Sequence, residues 1–257
     1  DALRRDMSGL LRHEFQAMSR LRHPNVVHVL DFDRIAGTSM SFFSMEYVKG
    51  KDFVSAVRDL PFEDLYPVVV QVCRSLEFIH SRGLLHYDIK PINLPCTRTS
   101  QGITPKLMDF HLSKEKKVVM AGTAQGTIAY MAPEVINQAT VDKRADLYSF
   151  GAVLYEAVCG RAPFQGGTAM AVLRQHLETE PTPPRELRPD CPPGLERIIL
   201  RLLAKDPSRR YASANQVVQE INRSTGRDFA LETPRTKESY ILSGRFSGRA
   251  AELSVLR

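Results

Sequence analysis

The chain has 257 residues, 43% of them hydrophobic and 25% charged, a balance that fits an ordinary globule and excludes fibrous or long disordered classes. The formal net charge is +6, but residues 1–28 carry five arginines against three acids and residues 235–257 five basic groups against two acids, which leaves +1 for residues 29–234. No nucleic-acid face is implied in that near-neutral middle, no apolar run reaches the roughly 20 residues needed to cross a bilayer, and no charged-then-apolar signal segment opens the chain, so a cytoplasmic protein is expected.

In chain order, Leu10, Leu11, Phe15, Met18 and Leu21 recur at mostly helical spacing, and the pattern predicts a helix over 7–22 that stops at His23-Pro24-Asn25. Val26 to Phe32 and Met40 to Val48 read as strands, the second broken by Lys49-Gly50-Lys51. Asp52 to Arg58 is a short helix. Asp64 to Ser81 is a longer one, with Val68, Val69, Val72, Leu76 and Ile79 on one stripe. From Gly83 to Phe110 short apolar pairs alternate with turns, which predicts hairpins. Further helices follow over Ala145 to Cys159, ending at Gly160, then Ala169 to Leu177, Gly194 to Leu203 and Ala214 to Asn222. Residues 223–245 are polar, aperiodic and contain Pro234, and read as a linker. The outline is α+β. Cys73, Cys96, Cys159 and Cys191 are widely spaced, without a C-x-x-C pair, and read as reduced thiols.

The segment that carries chemistry is His86-Tyr87-Asp88-Ile89-Lys90-Pro91-Ile92-Asn93, followed by Asp109-Phe110-His111. Phosphoryl transfer from a nucleotide needs a divalent metal on oxygen ligands, a cation near the moving group and a carboxylate to orient the attacking hydroxyl. Asp88, Lys90, Asn93 and Asp109 supply one base, one cation and two hard oxygen ligands of the kind magnesium takes.

The pattern H-x-D-x-K-P-x-N followed by D-F resembles the catalytic loop and metal motif of eukaryotic-type serine/threonine protein kinases. The resemblance implies a protein-kinase-like fold, ATP and Mg2+ as cofactors and a protein substrate. It assigns Asp88 as catalytic base, Lys90 as γ-phosphate partner, and Asn93 and Asp109 as metal ligands. Gly126 to Glu134 (G-T-I-A-Y-M-A-P-E) resembles the family's substrate-docking loop, with Thr127 near the Asp88–Lys90 pair. Asp146 resembles the aspartate that braces the catalytic loop, and Arg210 of Lys205-Asp206-Pro207-Ser208-Arg209-Arg210 is placed to pair with Glu134. Met45-Glu46-Tyr47-Val48 resembles the hinge that holds adenine through backbone groups of Glu46 and Val48, and Glu14 stands where the family has its helix-C glutamate.

The resemblance divides the chain into a partial small lobe (1–48), a complete, mainly helical large lobe (49–222), a linker (223–245) and, at 246–257, a stretch similar to the opening of an ATPase module. Three departures stand out. The glycine-rich loop and its strand lysine are absent, since the first lysine is Lys49. The expectation is a domain cut on its N-terminal side from a longer signalling protein, with little activity as it stands. Tyr87 replaces the arginine that clasps an activation-loop phosphate, and His111 replaces the glycine after D-F. A regulatory binding module without catalysis is therefore the alternative to an enzyme.

Overall fold

The structure, a computed structural model, describes residues 15–242 except 17, 39, 101 and 110–127, with the side chains of 241 and 242 left aside. Most of the helix predicted over 7–22 lies outside these residues; within them Phe15, Gln16 and Met18 are helical, and Met18 and Leu21 are buried. Strands β1 (Val29–Arg34) and β2 (Ser41–Met45) pair antiparallel, with an irregularity between Val29 and Asp31. Both are shorter or later than predicted. Val26 is drawn instead into a parallel bridge with Leu107, and Glu46 leaves the hairpin to bond back to His28.

Helices carry most of the chain from Phe53 onward. Asp52 caps α1 (Phe53–Val57) by accepting from the Ser55 amide at 3.0 Å. The next helix, α2 (Phe62–His80), buries the predicted stripe Val68, Val69, Val72, Leu76 and Ile79. A 3-10 turn (Pro91–Asn93) then leads into an antiparallel hairpin of β3 (Cys96–Thr99) and β4 (Gly102–Pro105), as the alternating turns suggested. The approach to this hairpin explains Gly50: a Cβ there would lie 2.0 Å from the Cys96 carbonyl oxygen.

The short α3 (Pro133–Ile136) precedes α4 (Lys143–Cys159), which starts on the Asp142 carboxylate and ends at Gly160 with φ +76°. Almost every residue of α4 from Ala145 to Val158 is buried, so this helix is enclosed on all sides by the rest of the domain. Of the remaining helices, α6 (Pro184–Leu187) and α7 (Pro193–Leu202) pack on α4, α8 (Ala214–Thr225) packs on α2 and α7, and α5 (Ala169–Glu178) lies against α3 and meets α4 where Tyr148 bonds His176. At Gly151 a Cβ would stand 2.6 Å from the Leu202 Cβ, so a glycine lets α7 approach α4.

The stretch read as a linker differs from expectation. Its first residues complete α8 up to the left-handed Gly226, and Pro234–Leu242 forms a further helix, α9. Thr233 and Thr236 cap it reciprocally: the Thr233 amide donates to Thr236 Oγ1 at 2.7 Å, and the Thr236 amide donates to Thr233 Oγ1 at 3.2 Å. The four cysteines are free thiols, three of them buried.

Candidate active site

The turn from His86 to Asn93 is fixed from beneath by α4. The carboxylate of Asp146, 2% exposed, accepts the His86 amide and the Tyr87 amide, each at 2.9 Å, and a bond from His80 Nε2 at 2.8 Å. Burial opposes the charge on Asp146. The hydrogen bond from His80, the His80 and His86 rings and the His86 amide outweigh it and hold the carboxyl below its ordinary value. That grip sustains an unfavourable backbone at Tyr87, where φ is +64° on a residue with a bulky Cβ. The Tyr87 hydroxyl is pushed up by burial and by the Asp146 charge.

His86 is fully buried and bonded at both nitrogens. Its Nε2–H donates to the Met108 carbonyl at 2.8 Å, which leaves Nδ1 to accept from the Asp88 amide at 3.3 Å. His86 is thus a packed histidine that ties the turn to the strand before Asp109.

Asp88 projects from this turn and is 6% exposed. Lys90 Nζ lies 2.8 Å from its Oδ2. Asn93 donates Nδ2 to the Asp88 carbonyl at 2.8 Å and to Oδ2 at 3.2 Å, so its side-chain oxygen faces away from that contact. The Met108 amide donates to the Asn93 carbonyl at 3.1 Å. Asp109 therefore follows directly on a residue bonded to Asn93, in a left-handed conformation with φ +59°. The structure brings four sequence-predicted residues, Asp88, Lys90, Asn93 and Asp109, into one region. Oxygen donors on Asp109 and Asn93 suit a hard cation.

Just past β2, the Glu46 carboxylate accepts the His28 amide at 2.9 Å and Lys106 Nζ at 2.5 Å, and the Glu46 amide donates to the His28 carbonyl at 2.9 Å. Burial works against the Glu46 charge, but these bonds, led by Lys106, hold its carboxyl below the ordinary value. No hydrogen bond among the described residues uses the Glu46 carbonyl or the Val48 amide, and Tyr47 between them is 87% exposed. Two backbone groups with opposite hydrogen-bonding sense are thus presented by an edge held from its other side.

Residues 130–134 are anchored to the helical body. Tyr130 donates to Glu156 Oε2 at 2.6 Å. Arg210 meets Glu134 through both nitrogens at 2.6 and 2.9 Å, and its remaining N–H groups go to the carbonyls of Ala204, Arg144 and Lys205. All five guanidinium donors are satisfied in a buried site. Glu14, Thr127 and His111 lie outside the described residues. Sequence reasoning missed His80 and Lys106: neither stands in a motif, and only the fold brings them to Asp146, 66 residues away, and to Glu46, 60 residues away.

The protein kinase domain model matches residues 3–221. The chain belongs to the protein kinase domain family. Among its relatives this kinase domain is 36% identical over 220 residues to a probable serine/threonine-protein kinase of Streptomyces coelicolor, covering 82% of this chain and 32% of the relative. It is 36% identical over 223 residues to the serine/threonine-protein kinase pkn3 of Myxococcus xanthus, covering 82% and 41%. It is 33% identical over 233 residues to the serine/threonine-protein kinase PknB of Mycolicibacterium smegmatis, covering 86% and 37%. The chain thus spans about a third to two fifths of the length of these relatives. Among the described residues no helix is long and apolar enough to cross a membrane.

Proposed function

We propose that this domain transfers the γ-phosphoryl group of ATP to a serine or threonine hydroxyl of a protein. The observation that carries the reading is the turn in which Asp88, Lys90 and Asn93 bond to one another beside the strand that delivers Asp109. The attacking hydroxyl forms a new P–O bond as the bond to the β-phosphate oxygen breaks, and its proton passes to the Asp88 carboxylate. Lys90, 2.8 Å from that carboxylate, offsets charge on the transferring group. Asn93 and Asp109 would hold Mg2+, which when bound supplies charge neutralisation on the phosphates. The Glu46 carbonyl and the Val48 amide form an acceptor–donor pair suited to the edge of adenine.

The remaining assignments follow the same reading. Thr127 contacts the Asp88–Lys90 pair during substrate docking. Asp146 and the Glu134–Arg210 pair support loops without touching substrate. Glu14 serves as the family's helix-C glutamate. The domain works in the cytoplasm, joined to further regulatory domains, the last residues opening an ATPase-like module. The near-neutral middle of the chain suits a protein partner over nucleic acid.

The test is phosphate incorporation from labelled ATP into a protein acceptor by the whole protein, compared with its Asp88→Asn variant. A positioned general base contributes about 10²–10⁴-fold, and a loss of that size is expected. Equal incorporation by both proteins would overturn the assignment. ATP binding without turnover in the parent would favour the binding-module reading, which Tyr87 supports by standing where a phosphate-clasping arginine is expected.

A further inference from the structure

The family model ends at residue 221, yet the chain beyond it returns to the domain and makes contacts that the large lobe needs. Pro67 lies inside α2 and has no amide hydrogen to offer the Glu63 carbonyl one turn before it. That carbonyl accepts instead from Arg227 Nη1 at 2.9 Å, and Arg227 also pairs with the Glu63 carboxylate. Further along, Arg74 of α2 donates to the Ala230 carbonyl through Nε at 3.1 Å. Asn222 holds Phe229 by both backbone groups, accepting its amide at 2.8 Å and donating to its carbonyl at 2.9 Å. Phe229, Leu231 and Tyr240 then pack on the main core.

The contact made by α9 reaches farther. The Tyr240 ring meets Phe78 of α2 edge-on at 5.4 Å, and the Arg82 guanidinium stacks at 3.7 Å over Phe78 while donating to the Ser239 carbonyl at 3.2 Å. Phe78 touches the His23 ring at 4.8 Å. His23, kept neutral by burial and by the charges of Arg82 and Arg74, accepts the Asn25 amide on Nδ1 at 3.0 Å. Asn25 in turn holds the strand that runs to Asp109: its carbonyl accepts the Leu107 amide at 2.9 Å, its Nδ2 donates to the Pro105 carbonyl at 2.9 Å, and the Val27 amide donates to the Leu107 carbonyl at 2.9 Å.

We propose that residues 227–242 are a brace bound in cis, whose docking through Tyr240 and Arg82 holds the His23–Asn25 turn and, through it, the strand that positions Asp109. Phe78 and Arg74 of α2, with Arg82 in the turn that follows it, form the surface, and the chain's own residues 227–242 are its partner. The inference concerns coupling between two parts of the chain and stands whether or not the domain turns over ATP.

Residue-resolved hydrogen exchange on the full chain tests it, comparing the parent with Tyr240→Ala and Tyr240→Phe. An aromatic contact of this type is worth up to about tenfold in an opening equilibrium. In Tyr240→Ala, exchange at the amides of Asn25, Val27 and Leu107 is expected to rise by up to about that factor. Amides of α7 between Leu195 and Ile199 should keep the parent's rates, and Tyr240→Phe should restore the slow rates. Faster exchange confined to α9, with Asn25, Val27 and Leu107 unchanged, would overturn the proposal. A rise of equal size at every amide, α7 included, would also overturn it, because the segment would then act on global stability alone.

Discussion

The His86–Asn93 turn and the β1–β2 hairpin are held in opposite ways. At the turn the buried groups bond to one another: His86 is fully buried, Asp146 is 2% exposed and accepts the His86 and Tyr87 amides, and the Tyr87 and Asp109 backbones sit at positive φ. At the hairpin the backbone is paired, but Leu30 is 60% exposed and Met40 63% exposed, and the strands fall short of their predicted lengths. The difference teaches that the turn takes its geometry from a buried helix, α4, which supplies its reference frame through Asp146. The end of the hairpin depends on a few fastenings, Glu46 to His28 and Lys106 foremost.

The largest effect that sharpens this contrast is expected at the buried ion pair. Arg210→Ala strips Glu134 of its partner inside the large lobe, and removing one member of a buried pair costs about 3–5 kcal/mol. Urea unfolding should record that loss; a change well under about 1 kcal/mol, the size of a surface pair, would break the contrast.

A smaller, pH-dependent effect lies at Lys205, which donates to the Gln175 carbonyl at 3.1 Å and stacks on Phe164. Burial lowers its amine to about 8 from an ordinary 10.5, with the Arg210 charge adding to the fall and Glu180 opposing it. The folded state thus binds the proton more weakly than the unfolded one, so charging Lys205 opposes folding fully below about 8, and this penalty fades as pH rises toward 10.5. Lys205→Met is expected to raise the melting temperature relative to the parent at pH 7, with the gain shrinking between pH 8 and 10.5. A gain that grows over that range would contradict the sign.

The sequence made the turn legible because its residues lie within eight positions and each has a distinct chemical task. Asp88, Lys90 and Asn93 meet as the motif predicts, and Glu134 finds Arg210 across 76 residues. The helices with strong apolar stripes were legible too, within one to three residues at their ends. The rest was hidden for physical reasons. His80 looks like an ordinary helix-end residue until α4 brings Asp146 to it. The short helices α3 and α6 each begin at proline and are too brief for a period to show. The last helix, α9, is polar in composition and owes its place to two threonine caps and one tyrosine, none of which sets up a stripe. Residues 223–245 therefore read as a linker, although Phe229, Leu231 and Tyr240 within them pack on the domain.

The smallest effect is expected at the hairpin surface. Leu30→Ser and Met40→Ser remove side chains that are mostly in solvent, and each should shift stability by no more than about 0.5 kcal/mol. A loss several times larger in the whole protein would mean that these side chains are covered there, and would move the hairpin from the loosely held region to the packed one.

The account rests most directly on the convergence of Asp88, Asn93 and Asp109 upon one nucleotide. Paramagnetic broadening by Mn2+–ATP, read on the side-chain resonances of these three residues in the whole protein, measures it. All three should broaden together and recover together when Mg2+–ATP displaces the manganese complex. Broadening at Asp109 with Asp88 and Asn93 untouched would place them in separate environments and contradict the account.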